Sequence, residues 1–493
     1  VNSIDVPGFY NLTNSRQPAV SEQYKSTRRL VGLYMNADLG FRDYLYLTLT
    51  ARNDWSSTLP QKNNSYFYPG ATLSFLLTDF LEKKGVNTGI VDFAKMRVAY
   101  GMTGNDADLY YVYDRFVAAS SSNPGYPNVD DLTFPLNGVN SYSVSNRLGN
   151  SNLKPELTSE FEVGLEANFF KNRVGIDFSY YNRYTKDLIE VLPKDPSTGY
   201  TSQIGNLGDV RNQGFELTLN LTPVRLKDFE WRLSWNMSVN KNKVEKLDVD
   251  EVFLGGYGGA GIYAVEGKAL GQFKIYGVQK AMVDGKECIV VDGAGMPLES
   301  VDQEYFGKDI NEKYRMGMTN MFTWKGLSLF ATLDYRHGGY IYSNTKDYMH
   351  WTGSGPETVY NDRKPFLVPN SVVSNGDGTY SENTVQVDPT ALHTFYSNGN
   401  FRGAQEFIIS RSYLKLRDAG VAYQLPKSWC SKLGLNGVRL SFNVSNILLW
   451  TPKENAYIDP ETTTFGNDVS AKFGEFGANP SNESYSFGLN IAF

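Results

Sequence analysis

The chain has 493 residues, a formal net charge of −6 and 14% aromatic residues, led by 33 Tyr and 29 Phe. Length alone suggests about three soluble domains of roughly 150 residues, yet no linker or composition shift divides the chain. Mean hydropathy is −0.38, no run of about 18 apolar residues offers a membrane helix, and slight acidity without a basic stripe argues against a nucleic-acid partner.

Residues 1–20 read as a loop, and no signal peptide opens the chain. Thirteen candidate strands follow, at about 26–37, 43–53, 66–77, 93–103, 159–170, 173–184, 213–223, 229–240, 313–325, 327–336, 411–424, 437–449 and 484–493. Most approach the nine to eleven residues of a tilted membrane strand. In the fifth, Phe161, Val163, Leu165, Ala167 and Phe169 alternate with Glu162, Gly164, Glu166 and Asn168. In the seventh, Phe215, Leu217, Leu219 and Leu221 oppose Glu216, Thr218, Asn220 and Thr222. The eighth sets Trp231, Leu233, Trp235, Met237 and Val239 against Arg232, Ser234, Asn236 and Ser238. The last, SYSFGLNIAF, puts Tyr485, Phe487, Leu489, Ile491 and Phe493 on one face and small or polar residues on the other. Side chains on a strand alternate faces, so each strand has one apolar and one small or polar side. A soluble sandwich strand can alternate too.

Loop lengths separate the two classes. Links at 38–42, 171–172, 223–228 and 326 are short, and those at 78–92 and 425–436 are intermediate. Between them lie long links at about 104–158, 185–212, 241–312, 337–410 and 450–483, with 54–65 the modest one of that set. Short turns on one side and long loops on the other are the plan of an outer-membrane barrel, with the short turns periplasmic. The expected fold class is therefore all-β, a transmembrane antiparallel barrel. An odd strand count leaves the first and last strands running the same way, whereas a closed antiparallel barrel needs an even number. The expectation is that 1–493 is the C-terminal part of a larger barrel, with the N-terminal part absent.

Several segments resemble one family. AKMRVAYGMTGN (94–105), LGNSNLKPELTSEFEVGLEANFFKNRVGIDFSYYNRYTKDLI (148–189), NLGDVRNQGFELTLN (206–220), FEWRLSWNMSVNKNKV (229–244), YLKLRDAGVAYQLP (413–426) and the terminal Phe493 are similar, in order, to SusC/RagA-like TonB-dependent outer-membrane transporters. The LKPE hairpin belongs to TonB-dependent receptors generally, and the RVAYGMTGN and YLKLR…LP patterns point to the SusC-like branch. The plug domain, TonB box and early strands have no counterpart. The family's D-x-N-x-D-G-like loop is reduced to Asp292–Gly293, so no metal is expected there. The resemblance implies a barrel of about 22 strands with a plugged lumen in the Gram-negative outer membrane. It further implies a SusD-like surface lipoprotein as lid, energy from TonB–ExbB–ExbD through the absent N-terminal part, and an oligosaccharide or oligopeptide as cargo. Alternatives are a passive porin-like channel, an adhesin barrel or a soluble glycan-binding β protein.

No Ser/His/Asp or paired-carboxylate arrangement has credible spacing, so no enzyme is expected. The two cysteines, Cys288 and Cys430, form no disulfide framework, and the histidines His337, His350 and His393 are scattered. No cofactor is expected. Glu160, Glu162 and Glu166 line the lumen face, where solvation or plug contact accounts for them. Asp248, Asp250 and Glu251 read as a solvated acidic loop, and Gly255–Gly261 lacks the Lys-Ser/Thr of a P-loop and reads as a flexible surface loop. Trp231, Trp235, Tyr180 and Tyr184 read as interfacial girdles. Two groups of loop aromatics, Tyr340, Tyr342, Tyr348, Trp351 and Tyr360, and Tyr110, Tyr111 and Tyr113, are candidates for cargo or lid contact, because such rings stack on ligands and anchor interfaces.

Overall fold

The computed structural model describes residues 5–11, 14, 16, 25–118, 139–397, 404–432, 434–466 and 468–493. Much of the 1–20 segment read as a loop thus lies outside the described residues. Thirteen strands form one antiparallel sheet in sequence order. They are β1 (Leu30–Phe41), β2 (Leu45–Ser56), β3 (Ser65–Leu76), β4 (Val91–Asn105), β5 (Glu156–Phe169), β6 (Val174–Lys186) and β7 (Gly208–Arg225). The series continues with β8 (Phe229–Leu247), β9 (Glu312–Trp324), β10 (Leu327–Gly338), β11 (Tyr413–Gln424), β12 (Gly437–Trp450) and β13 (Ser484–Ala492). All thirteen expected strands are present. β1 starts and ends about four residues later than expected, and β7 and β8 run well past their expected limits on the long-loop side, where polar residues continue the pairing.

The register puts the polar residues of neighbouring strands on one face. Glu166, Gly164, Glu162 and Glu160 of β5 stand opposite Lys95, Arg97, Ala99 and Gly101 of β4. They also stand opposite Asp177, Ser179, Tyr181 and Arg183 of β6. Asn220, Thr218 and Glu216 meet Ser234, Asn236 and Ser238. The other face carries Leu217 beside Phe178 and Met237, and Phe442 beside Phe487. Glycine on the polar face makes room for large neighbours. A Cβ on Gly164 would lie 2.3 Å from Arg97 Nε, and one on Gly214 would lie 2.8 Å from the Tyr181 hydroxyl.

Turns on one side are tight because their backbones enter the left-handed region. The two-residue Lys325–Gly326 link has φ of 45° and 88°, the primed turn that matches strand twist. At the β5–β6 link Phe170, Lys171 and Asn172 have φ of 57°, 59° and 57°. The β3–β4 link holds helix α1 (Leu77–Lys83), and the β11–β12 link holds a short helix at Lys427–Lys432 with Cys430 buried in it. Cys288 lies in the long β8–β9 connection at the other end, and both cysteines are free.

β11 departs from strict alternation. Its pairing with both neighbours slips at Arg417. A bulge of this kind inserts one extra residue and shifts the faces beyond it. With the bulge, Tyr413 and Lys415 stay on the polar face opposite Arg336 and Asp334, while Leu414 and Leu416 stay on the apolar face opposite Tyr335 and Leu333. Without it, the two leucines would face the polar side.

The long connections, read from sequence as loops, carry structure of their own. Residues 248–311 hold a four-stranded sheet built from Glu251–Tyr257, Ala260–Val265, Gln272–Val278 and Glu299–Asp309. Gly255–Gly261, expected to be a flexible loop, forms the tip of the first hairpin. Gly258 and Gly259 turn it with φ of 59° and 79°. The acidic run beside it is divided between partners. Asp248 pairs with Lys246 at 2.8 Å, and Glu251 accepts from Lys274 Nζ at 2.7 and 2.9 Å.

The two faces of β7 should respond oppositely to charge. Leu217→Arg places a cation on the apolar face at mid-strand and is expected to cost about 2–4 kcal/mol. Thr218→Arg, on the polar face, should change stability by no more than about 0.5 kcal/mol. Urea titration of the natural full-length protein in lipid vesicles, read by heat-modifiable gel migration, measures both. Equal losses would reverse the face assignment.

Candidate functional site

The polar face is cross-linked from strand to strand. Arg97 reaches Glu162 at 3.2 Å and Asp177 at 3.3 Å, and Arg183 pairs with Glu160. Tyr181 donates to Asn240 at 3.1 Å, Asn240 and Asn242 both donate to Asn212, and Thr319 meets Thr332 at 3.1 Å. Two of the three expected lumen carboxylates thus have guanidinium partners. Glu166 keeps its place on the same face, opposite Lys95. On the apolar face Trp231 stacks on Phe322 at 5.6 Å and donates to Asn320 at 3.1 Å.

Toward the long-loop end the polar face closes into an ion cluster. Asp334 of β10 accepts from Arg315 at 2.8 Å, Arg417 at 2.5 Å and the Tyr413 hydroxyl at 3.1 Å. Lys415 donates to Asp459 at 2.7 Å and Glu461 at 2.6 Å, and Arg417 also binds Glu461. Ser481 donates to Asp459 as well. Asp459, Glu461 and Ser481 all belong to the β12–β13 connection, so the cluster fastens that connection to three strands. The YLKLR motif supplies Lys415 and Arg417, which its sequence pattern makes visible. Their acidic partners lie in a distant connection that no local spacing announces.

Above the sheet the long connections share apolar cores. One joins Ile262, Phe273 and Ile275 from the β8–β9 connection to Tyr342, Phe407 and Ile408 from β10–β11 and Phe473 from β12–β13. A second holds Val291, Met296, Phe366, Val368, Val387 and Phe395. Backbone pairing ties the same connections together. Ile289–Val291 run parallel to Ser371–Val373. Tyr340–Tyr342 pair antiparallel with Ile408–Ser410, and Tyr342–Ser343 run parallel to Gly474–Glu475. Glu475, wholly buried, accepts from the hydroxyls of Ser343 and Thr345 and from Ala478 N.

The candidate aromatics divide by placement. Tyr342 is 1% exposed, stacks on Phe473 at 5.3 Å and donates to Asp347 at 2.9 Å, so its ring is taken up inside the core. Tyr340 is half-buried, with Lys308 Nζ 4.7 Å over its ring. Tyr348 and Trp351 on helix α2 (Asn344–Trp351) are 59% and 52% exposed, and Tyr360 in the following turn is 56% exposed. Trp351 meets His393 edge-on at 5.9 Å, and Tyr360 meets Phe366 at 5.3 Å. These three share one stretch of chain and present large faces outward. Tyr111 packs under Arg147 at 4.5 Å, Tyr110 sits at φ 65° near Arg115, and Tyr113 is exposed. Among the described residues there is no cluster of three His, Cys, Asp or Glu placed to hold a metal ion.

A thirteen-stranded antiparallel sheet with one apolar and one polar face, tight turns at one end and folded connections at the other, defines a membrane β-barrel protein of the outer-membrane type. The family model described as "TonB dependent receptor-like, beta-barrel" matches residues 2–272, more than half of the chain, and the chain belongs to that family. A TonB-dependent receptor, P3, of Formosa agariphila is 27% identical over 98% of this chain and 48% of its own length. The TonB-dependent receptor SusC of Bacteroides thetaiotaomicron is 28% identical over 45% of this chain and 22% of its own. Among solved structures, the RagAB peptide importer in its closed-closed state superposes with a TM-score of 0.70, at 21% identity, over 94% of this chain and 48% of that one. The chain therefore spans about half the length of the curated relatives that match along its whole length.

The ion cluster gives the β12–β13 connection a pH dependence. Burial pushes Glu461 upward, but the bonds from Arg417, Lys415 and Tyr413 outweigh it and hold the carboxyl at about 2; Asp459 is likewise lowered, against its burial, by Lys415 and Ser481. Because the folded values lie below the unfolded ones, the stabilisation is fully present above about pH 4.5. It is lost as pH falls toward 2. Lys415→Met leaves the buried Asp459 without its cation, a change that typically costs about 3–5 kcal/mol, while the half-buried Glu461 keeps Arg417. Limited proteolysis should show 451–483 cut early in this variant at neutral pH, and in the parent only below pH 4. A variant as resistant as the parent would show that the cluster does not hold this connection.

Proposed function

We propose that this chain is the C-terminal barrel portion of a SusC-like importer that carries a nutrient oligomer, an oligosaccharide or an oligopeptide, across the outer membrane. The polar, cross-linked inner face under a folded loop layer carries this reading. It suits a lumen through which a hydrated solute passes, whereas a barrel serving only as an anchor needs no such lining. Family membership and the SusC relative support it, and the fold likeness to a structure named a peptide importer agrees with it.

In this reading the long connections are extracellular and the short turns periplasmic. β1 and β13 each have one neighbour in the sheet and run in the same direction, and lipid-exposed open edges are not tolerated in hydrocarbon. In a protein of the relatives' length, the remaining strands close those edges and a plug fills the lumen. TonB–ExbB–ExbD then acts through that plug-bearing part. A SusD-like lipoprotein lids the barrel, and the exposed Tyr348, Trp351 and Tyr360 are its contact, with cargo as the other candidate for the same faces. Transport needs binding and gated passage, so no residue is assigned covalent chemistry.

The test replaces Tyr348, Trp351 and Tyr360 together with Ala. Truncating an aromatic hot spot costs about 2 kcal/mol or more of binding. Co-purification of the surface lipoprotein, or TonB-dependent uptake, should fall at least about tenfold, with surface expression unchanged because no sheet strand is touched. Wild-type uptake and co-purification together would remove these rings from the contact.

A further inference from the structure

Between the β8–β9 and β10–β11 connections lies a cavity of about 860 Å³, within the range of small-ligand pockets. Its walls are mainly branched aliphatic and aromatic, with Val278, Ile289, Val359, Phe366, Val368 and Ile409 among them. Two lysines enter it. Lys308 Nζ donates to the carbonyl of Ile408 at 3.0 Å, and Lys346 Nζ donates to the carbonyl of Glu406 at 3.0 Å. The two ammonium groups are thus pinned two residues apart on one segment. Burial lowers the Lys308 ammonium below the ordinary lysine value, Glu454 raises it, and the Lys346 charge lowers it further. Each ammonium has three donors, and one is used on a carbonyl. Lys346, only 8% exposed, has Glu357 3.8 Å away, and Glu357 is already engaged by the Tyr457 hydroxyl and by His350 at 3.3 Å.

Paired cations beside an apolar chamber suit a ligand that carries a carboxylate on an apolar body. A neutral sugar is better served by an open, flat aromatic platform. Here Phe366 is met edge-on by Tyr360 at 5.3 Å and by Phe395 at 5.4 Å, and Phe395 by Tyr396 at 5.0 Å. Glu454 adds an acceptor for N–H groups. An apolar side chain, a carboxylate and amide N–H groups together describe the C-terminal residue of a peptide.

We propose that this cavity is a specificity pocket for peptides ending in an apolar residue, with Lys308 and Lys346 receiving the terminal carboxylate; the proposal rests on the importer reading and chooses peptide over glycan as cargo. Calorimetry on the natural full-length protein in detergent tests it with five probes. These are a tetrapeptide ending in leucine, its C-terminal amide, a tetrapeptide ending in serine, maltoheptaose and decanoate. The leucine acid should bind best, and amidation or serine should each weaken binding at least about tenfold. Val359→Trp narrows the pocket at a residue that is 52% exposed, so the core stays intact, and Lys308→Met removes one cation. Val359→Trp should weaken the leucine peptide about tenfold and leave the serine peptide unchanged, whereas Lys308→Met should weaken both acids about tenfold and leave the amide unchanged, with the proteolytic pattern of 337–410 as the folding control. Equal binding of acid and amide, tightest binding of maltoheptaose, or binding of decanoate without peptides overturns the pocket. Uptake by cells separates the two readings. No TonB-dependent uptake of any oligomer by the parent refutes the importer, whereas uptake with the parent's peptide preference in Val359→Trp refutes the pocket alone.

Discussion

The structure depends on one constraint: in hydrocarbon each backbone N–H and C=O must find its partner within the protein. Eleven of the thirteen strands therefore have a neighbour on both sides, and neighbours follow one another in sequence order. Once the pairing is fixed, side-chain periodicity follows, because a slip of one residue would exchange the lipid face for the lumen face. The Glu160–Arg183 and Arg97–Glu162 contacts are consequences of that register, since they join residues that the ladder has already set opposite or diagonal to one another.

The connections on the long-loop side escape this constraint and obey another. They are free to use water, yet they bury Phe273, Tyr342, Phe407 and Phe473 together, so ordinary apolar packing governs them. Three connections contribute to that core, and parallel backbone pairing links the β10–β11 connection to each of the other two. Such a layer is positioned by the strands beneath it and fastened by the ion cluster around Asp334 and Glu461. Its exposed rings and its cavity then stand on a folded platform and not on independent loops.

The strands are legible in the sequence because a membrane strand advertises itself through alternation over about ten residues, and Phe161 to Phe169 or Leu217 to Leu221 are read directly. The upper ends of β7 and β8 are less legible, because above the lipid the outward residues become polar, as at Lys241 and Lys243, and the signal stops before the pairing does. The loop sheets are illegible for a different reason. Ile289–Val291 and Ser371–Val373 are short apolar runs whose partners lie far away in sequence. The aromatic residue type marks Tyr342 and Trp351 equally, but only the fold shows that the first ring is buried and the second outward. Lys308 and Lys346 carry no motif at all, since they meet through carbonyls of a third segment.

The bulge at Arg417 makes shape and charge inseparable in β11. The extra residue that resets the phase of the strand is itself the cation that binds Asp334 and Glu461. A family member that lost one residue here would not merely shorten a strand. Its upper half would rotate by one position, carrying the equivalents of Tyr413 and Lys415 into lipid and the two leucines into the lumen. Insertions and deletions are therefore tolerated in the long connections but heavily constrained at this point, and length is as informative as residue identity when relatives are aligned across it.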